Sequence, residues 1–557
     1  MGRTLEKRLH SGIFHIVLIA GSVLFSAPFV WLASSSAKAP DELYPPRWLP
    51  PAPSFARSSP YIALRYNQRP EQPVTVSDTA WEKTRGPIQA GLEGRIRSMA
   101  DALPAFYGGY LDHGEIAESV FAELLRRAPH DLFEQPVDKS VSWFTEAVDE
   151  AMVGEAFNRV YRRVALADVY LFGWDSAQEH QGDVLKIPWE VVSGDVEIVA
   201  RKEGLRRAAQ ELHYAFGEES RFAVSAEVPM VMAAVNLKKI RLMNHADGTW
   251  HRIWLEAEVD GRRLRSASPA YTGGRGWQET TWQVASEEDE TALVRTWLVL
   301  EDVGSTAFDA PGSIRLTLTY EASSAWGALA NKLLFNYREV VRMVPLWGYV
   351  RNSLVLVTLN IVGQILASSL IAFAFARLHW PGRDACFVLV LATLMLPPQV
   401  TLIPVFLIFK SLGWYNTLLP LWVPAFFGNA FYIFLLRQFM KGIPRDLEDS
   451  ARIDGCGYLG IYGRIILPLI KPALASIAIF TFMAVWNDFM GPLIFVTDQE
   501  LYPLSLGLFS LHAMMSALAR HEIMMAASVL MTIPVIALFF VAQRHFIQGV
   551  TLTGLKG

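Results

Sequence analysis

The sequence predicts an α-helical polytopic membrane protein with six transmembrane helices and an α+β domain inserted outside the membrane, between the first helix and the second. Three observations lead there. Apolar runs of about 20 residues, long enough to cross a bilayer, recur six times. Five of the six crowd into the C-terminal part of the chain, and the long stretch before them alternates between helix and strand patterns. Basic residues collect on one side of the runs, which fixes an orientation.

Residues 1–12 carry Arg3, Lys7 and Arg8 and read as a cytoplasmic N-terminus. The first run, 13–33, has a signal peptide as its rival because Ala37-Lys38-Ala39 follows; its length favours a retained helix. Residues 41–54, with Pro45, Pro46, Pro50, Pro51 and Pro53, are too rich in proline for helix or central strand and form an extended linker. The outer insertion, 55–334, is helical over about 78–172, where Ile116, Val120, Phe121, Leu124 and Leu125 recur at helix spacing. It is strand-rich over about 187–320, as an antiparallel, sandwich-like sheet: Ile314, Leu316, Leu318 and Tyr320 alternate with polar residues, and Asp260-Gly261 marks a hairpin. The remaining spans fall near Ser353–Ala376, Ala385–Phe409, Leu418–Phe439, Pro472–Val496 and Ile523–Ala542, within a core of 336–557.

Composition agrees. Of 557 residues, 52% are hydrophobic and 19% charged, too apolar for a typical soluble protein and too polar to lie wholly in lipid. A net charge of -4 supplies no basic field for nucleic acid. Both cysteines, Cys386 and Cys456, lie in the C-terminal part, so the outer domain has no disulfide framework. With the N-terminus inside, cytoplasmic segments hold Arg377 and Arg383, then Lys441, Arg445, Arg452, Arg464 and Lys471, then Arg544 and Lys556; the short outer loops hold little beyond Lys410 and Arg520. Both termini are therefore expected in the cytoplasm and the insertion outside it.

Within a cytoplasmic segment, Asp449-Ser450-Ala451 is followed after three residues by Gly455 and after nine more by Ile465-Ile466-Leu467-Pro468. That spacing resembles the EAA loop of the membrane subunits of bacterial ABC importers. Further landmarks are similar to those of carbohydrate-importer permeases: Asn336-Tyr337-Arg338-Glu339-Val340, Arg351-Asn352-Ser353, Ala374-Phe375-Ala376-Arg377-Leu378, Pro381-Gly382-Arg383, Met395-Leu396-Pro397-Pro398-Gln399, Trp486-Asn487-Asp488-Phe489 and Gly554-Leu555-Lys556-Gly557. The chain most resembles the six-span, MalG-like permease of maltose-type importers. The outer domain departs from that pattern, since related permeases have only a short connection there.

The resemblance implies a permease subunit of a binding-protein-dependent importer, for a sugar or oligosaccharide, in a bacterial inner membrane. It also implies that the chain is not itself an enzyme and binds no cofactor. Its partners would be two ATP-binding subunits holding ATP and magnesium, a second, homologous permease subunit, an extracytoplasmic solute-binding protein, the sugar and membrane lipid. The loop 444–472 would dock on an ATP-binding subunit as a helix, a bend and a second helix. Gly455 would permit the bend, while Pro468 and Pro472 would end the element. Leu447, Ala451 and Ile453 would give apolar contact; Asp449, Arg452 and Asp454 would give polar contact, with Ile465 and Leu467 closing the pattern. Ser450 stands where the pattern has Ala, and Asp449, shorter than Glu, leaves Glu448 to restore the reach.

Polar residues in the spans mark a candidate translocation path: Asn360 and Gln364 one turn apart, then Asn429, Thr481, Trp486 and Asn487. Hydrogen bonding from helix to helix is the competing role for each. The outer loop Thr497–Arg520 is where family members reach towards the binding protein. A rival function, a membrane-anchored carbohydrate-binding or carbohydrate-processing protein, draws on Trp254 and on Glu279, Glu287 and Asp289, but an anchor has no need of the loop spacing. No metal site is expected, because His213 and His251 lack partners at ligand spacing. The match of Gly455-Cys456-Gly457-Tyr458-Leu459-Gly460 to G-x-G-x-x-G lacks a preceding strand, and no Walker pattern occurs.

Overall fold

The computed structural model describes residues 2–43, 48–55, 76–100, 113–149, 164–173, 180–182, 187–203, 207–230, 232–274, 277–286 and 294–551, with short pieces at 57, 70, 72–73, 152–153, 156 and 292. Two compact units divide the chain, Met1–Asn336 and Tyr337–Gly557.

The first unit opens with a helix, Gly2–Ser35, whose segment Phe14–Ser35 is long and apolar enough to cross a membrane. Three helices follow, Asp78–Ala100, His113–Leu125 and Val137–Glu146. Ile116, Val120, Phe121 and Leu124 are buried at the predicted spacing, against Trp81, Ile88, Leu92 and Phe144. Phe121 meets the edge of Phe144 at 5.1 Å and stacks on Trp81 at 5.9 Å, contacts that fix how the helices cross.

Thirteen strands are seen among the described residues. They are β1 Val164–Gly173, β2 His180–Gly182, β3 Trp189–Ser193, β4 Asp195–Glu203, β5 Arg207–Ala215, β6 Arg221–Pro229 and β7 Leu237–His245. Then come β8 Arg252–Val259, β9 Arg262–Ser266, β10 Ala270–Tyr271, β11 Trp277–Val284, β12 Leu298–Ser305 and β13 Ser313–Glu321. Their order is β3-β6-β13-β8-β9-β12-β11-β7-β1-β5-β4, with β10 beside β8 and β2 beside β1. All pairings are antiparallel except β11 with β12. Strands β3 and β4 stand at opposite ends of this order yet are joined by Gly194 alone, so the sheet curls until its ends meet. Leu166, Ile240, Trp282, Val224, Leu255 and Leu318 share the enclosed core. The sandwich-like expectation is thus met by one continuous curled sheet rather than two.

The hairpin signal is accurate. Val259 pairs with Arg262, and both turn residues have positive φ, 49° for Asp260 and 71° for Gly261, which matches the twist of the flanking strands. One boundary is corrected: 78–172 is not helical to its end, because β1 begins at Val164. Val164, Ala165, Leu166 and Ala167 are all buried, since β1 lies between β5 and β7 with both faces covered. Such a strand shows no alternation to read.

The helix Ala325–Met343 carries the chain from the first unit into the second. In the second unit, Leu346–Arg377, Leu419–Lys441 and His521–Val541 are long and apolar enough to cross a membrane. Two bent pairs bring the number for the described chain from four to six if each is one span: Arg383–Met395 with Val400–Ser411, bent by 104°, and Tyr458–Leu469 with Lys471–Trp486, bent by 76°. Two expectations are corrected here. The run read as Pro472–Val496 stops at Trp486, and Met490–Phe495 is a separate short helix. The stretch read as a loop, Thr497–Arg520, contains the helix Leu504–Ala517, which buries Leu504, Leu506, Leu508, Leu511 and Met515. At 14 residues it is too short to register as a span.

Candidate coupling site

The segment 444–472 folds as a helix, a sharp turn and a second helical stretch. Asp446, Glu448 and Asp449 fill the first turn of Asp446–Ile453, where carboxylates complement the helix dipole, and Arg452 stands in the last. The helix stops through two reversed hydrogen bonds: Cys456 N–H donates to Ala451 O at 2.8 Å and Gly455 N–H to Arg452 O at 3.0 Å. This pairing needs a left-handed residue at its centre, and Gly455 supplies φ 81°. The chain resumes as Tyr458–Ile461, passes through a wider turn at Tyr462–Ile466 and continues as Leu467–Leu469, with Pro468 in its first turn.

Two side chains tie this segment to the span Leu346–Arg377. Glu448 Oε1 lies 2.9 Å from Arg377 Nε, with the side chains only 5% and 3% exposed. Arg377 also donates to Met440 O and, at 2.9 Å, to Ile443 O, so the guanidinium gathers the ends of Leu346–Arg377 and Leu419–Lys441 and the first loop helix. Further on, Tyr462 Oη and Ser369 Oγ are 2.6 Å apart. Ile461, Ile466 and Ile470 pack with Phe373, Ala376, Leu436 and Met440. The loop is therefore packed and bonded onto Leu346–Arg377 and Leu419–Lys441.

Its other face is open. Leu447, Ile453, Tyr458 and Leu459 are exposed, Ile453 by 87% and Leu459 by 79%, beside Asp449, Arg452 and Asp454. Arg452 pairs loosely with Asp449 at 3.6 Å, and its guanidinium lies 5.3 Å from the Tyr458 ring centre. Ser450 Oγ donates back to Asp446 O at 2.8 Å, which keeps it on the helix surface. A Cβ at Gly455 would meet nothing within 4 Å, so only its backbone angle demands glycine. Ala451, Ile465 and Leu467 are partly buried, Ala451 and Leu467 against the core, and Pro468 is exposed.

Glu448 is the correction in this set: its carboxylate is taken up by Arg377 and does not extend the reach of Asp449. Arg377 and Tyr462, which tie the segment to the span, and Tyr458 and Leu459, on its open face, were not among the candidate site residues read from the sequence. The signal for Arg377 is a cation closing an apolar run, which demands a buried partner.

The proposed path residues separate into two groups. Asn360 Nδ2 donates to Leu356 O and Leu421 O, at 2.8 and 2.9 Å, and Trp486 Nε1 donates to Met531 O at 3.2 Å; both are buried in helix-to-helix bonding. Thr481 is buried as well. Gln364, Asn429 and Asn487 keep open surface. Ser368 joins the first two: its Oγ donates to Gln364 Oε1 at 3.3 Å and accepts from Asn429 N–H at 3.2 Å. There the span Leu419–Lys441 is broken by Gly428, φ 82°, and Asn429 caps the helix that restarts at Ala430. Asn487 bonds back to Met483 O.

In the thirteen-stranded sheet, Trp254 stands on the polar face as expected, but its Nε1 donates to Glu321 and the Arg265 guanidinium lies 5.7 Å from its ring. Glu279 pairs with Arg241 at 3.0 Å; Glu287 and Asp289 lie outside the described residues. His213 Nε2 is 3.2 Å from Glu211, and His251 Nδ1 accepts from Ser323 N–H.

Residues 364–552 match the family described as binding-protein-dependent transport system inner membrane component. The arabinooligosaccharides transport system permease protein AraQ of Halalkalibacterium halodurans is 35% identical over 211 residues, 38% of this chain and 75% of that protein. The osmoprotective compounds uptake permease protein GgtD of Synechocystis is 33% identical over 225 residues, 40% of this chain and 75% of that protein. The alpha-glucoside transport system permease protein AglG of Rhizobium meliloti is 32% identical over 231 residues, 40% and 60% of the two chains. The likeness covers the second unit, where the segment 444–472 lies, and on it the chain belongs to the family of binding-protein-dependent transport system inner membrane components.

Proposed function

We propose that this chain is the sugar-translocating permease of an importer and that it takes its driving force through the segment 444–472. One observation carries the reading: a helix-turn-helix element that is bonded to a span on one side and presents apolar residues among charges on the other. Apolar surface rimmed by charge suits a protein partner. That partner is an ATP-binding subunit, one of two, which holds ATP and magnesium; a second, homologous permease and an extracytoplasmic solute-binding protein complete the assembly.

In this reading the two bent pairs each form one span, giving six. Both termini and the coupling segment face the cytoplasm of a bacterial inner membrane, and the inserted domain lies on the periplasmic or external side, as the placement of basic residues supports. Closure of the ATP-binding subunits moves the Asp446–Ile453 helix. The Arg377–Glu448 pair and the Tyr462–Ser369 bond pass that movement to Leu346–Arg377, which helps to switch the path between its two sides. Gln364 and Asn429, held at the broken span with Phe431 nearby in sequence, offer the hydrogen bonds and the ring that replace a sugar's water. The names of two relatives, one for arabinooligosaccharides and one for alpha-glucosides, support a sugar or oligosaccharide.

Affinity purification from the native membrane, followed by a screen of sugars for stimulation of the purified complex's ATPase, tests this. Co-purification of an ATP-binding subunit with stimulation by a sugar is expected. A chain that purifies without any ATP-binding subunit would overturn the proposal.

A further inference from the structure

The helix Ala325–Met343 has two unlike faces. Ala328, Asn331, Lys332 and Asn336 are buried on one. There Asn336 Nδ2 donates to Ser36 O and Lys38 O, at 2.9 and 2.8 Å, and Lys332 Nζ bonds Glu42 and Pro51 O. On the other, Trp326, Ala330 and Leu334 follow at helix spacing, and Val341 continues the stripe; all are exposed, Trp326 by 81%.

The Asn336 bonds fix the height of this helix. Ser36 and Lys38 are the first residues past the apolar helix segment Phe14–Ser35, whose Phe25, Phe29 and Val30 are exposed. Trp31 in its last turns meets Trp48 edge to face at 5.5 Å, and Ser34 donates to Trp48 O. Trp48 and Leu49 are themselves exposed. The residues just past the first apolar segment thus carry Trp31, Trp48 and Leu49, and the helix Ala325–Met343 is held against them through Lys332 and Asn336, with Trp326 exposed in its first turn. Tryptophan collects at the headgroup boundary because its ring is apolar with one polar edge. An amphipathic helix at that depth buries its apolar stripe in the same zone.

We propose that Ala325–Met343, together with Trp48 and Leu49, is an interfacial element that rests in the outer headgroup region and seats the inserted domain at a fixed height on the bilayer. The occupant of the exposed stripe is phospholipid. This holds whatever solute the importer carries.

The test places p-benzoylphenylalanine at positions 49, 326 and 334, and at exposed Val235 in the sheet domain as a control. The assembled transporter is irradiated in vesicles of phosphatidylethanolamine and phosphatidylglycerol, and adducts are identified by mass spectrometry. Phospholipid adducts at 49, 326 and 334, well above those at 235, are expected. Adducts to another polypeptide at 326 and 334 would overturn the proposal in favour of a protein interface, and lipid adducts no more frequent than at 235 would overturn it outright.

Discussion

Arg377 and Glu448 form a buried ion pair at 2.9 Å that joins the end of a membrane span to the first helix of the coupling segment. Two charges taken out of water are stable only while paired. Removing one partner therefore tests the joint. Glu448→Ala leaves the buried guanidinium with the Met440 and Ile443 carbonyls but no opposite charge, and is expected to cost about 3–5 kcal/mol. Thermal unfolding of the complex should fall accordingly, and solute-stimulated ATPase should lose its coupling to transport. The double change Arg377→Met with Glu448→Leu should recover most of the stability, because no lone charge remains, without restoring the coupling of a bonded joint.

Gly455 is needed for its angle alone. With φ 81° and nothing within 4 Å of a built Cβ, Gly455→Ala should cost about 1–2 kcal/mol of left-handed strain. Gly455→Asn should be milder, since Asn tolerates that region, and Gly455→Val harsher. Transport rates in reconstituted vesicles should rank Asn, Ala, Val from least to most impaired, with membrane insertion unchanged in all three.

Gly194 is constrained by space as well as by angle. Its φ is 90°, and a Cβ there would lie 2.5 Å from Phe222 Cβ at the seam where the sheet's two ends meet. Gly194→Ala should loosen that seam, seen as faster hydrogen exchange in β3 and β4 and earlier proteolysis of the sheet domain within the full chain. The coupling segment's exchange should be untouched.

Tyr214 donates to buried Asp247 at 2.6 Å, and Tyr320 stacks on Phe222, which stacks on Tyr214. Burial, with Asp247 nearby, pushes both phenols well above their ordinary pKa. A group whose folded pKa is raised contributes stability that is fully present below the unfolded value and lost as pH rises past it. The sheet domain should therefore weaken above about pH 10, where unfolded tyrosine ionises. Tyr320→Phe should flatten that loss; its hydroxyl is buried with no hydrogen-bond partner among the described residues, so stability at neutral pH should hold or rise. Alkaline unfolding followed by near-ultraviolet circular dichroism would show it.

Local signals were legible in the sequence wherever one face was buried and the other free. The Ile314–Tyr320 alternation, the Asp260-Gly261 turn, the Ile116–Leu124 spacing and the Asp446–Gly455 helix and stop are of that kind. Contacts between distant segments were not. Nothing near Glu448 reveals that Arg377 will claim it, and nothing near Asn360 or Trp486 reveals that backbone carbonyls of other helices will take their donors. The strand β1 was hidden because both its faces are covered, and Leu504–Ala517 because 14 apolar residues are too few to be read as a span. The prolines of 41–54 revealed neither the 3-10 turn at Pro40–Glu42 nor that Pro51 O and Ser54 N–H would be bonded into the fold.

The central claim is that the exposed face of the coupling segment is where this chain is driven. Hydrogen exchange of the permease pair in lipid nanodiscs, measured with and without the ATP-binding subunits, tests it most directly. Protection of the amides from Leu447 to Leu459 on adding those subunits, with β8 and β13 unchanged, is the predicted result. Unaltered exchange at Ile453 and Leu459 in the complete, ATP-hydrolysing assembly would contradict it.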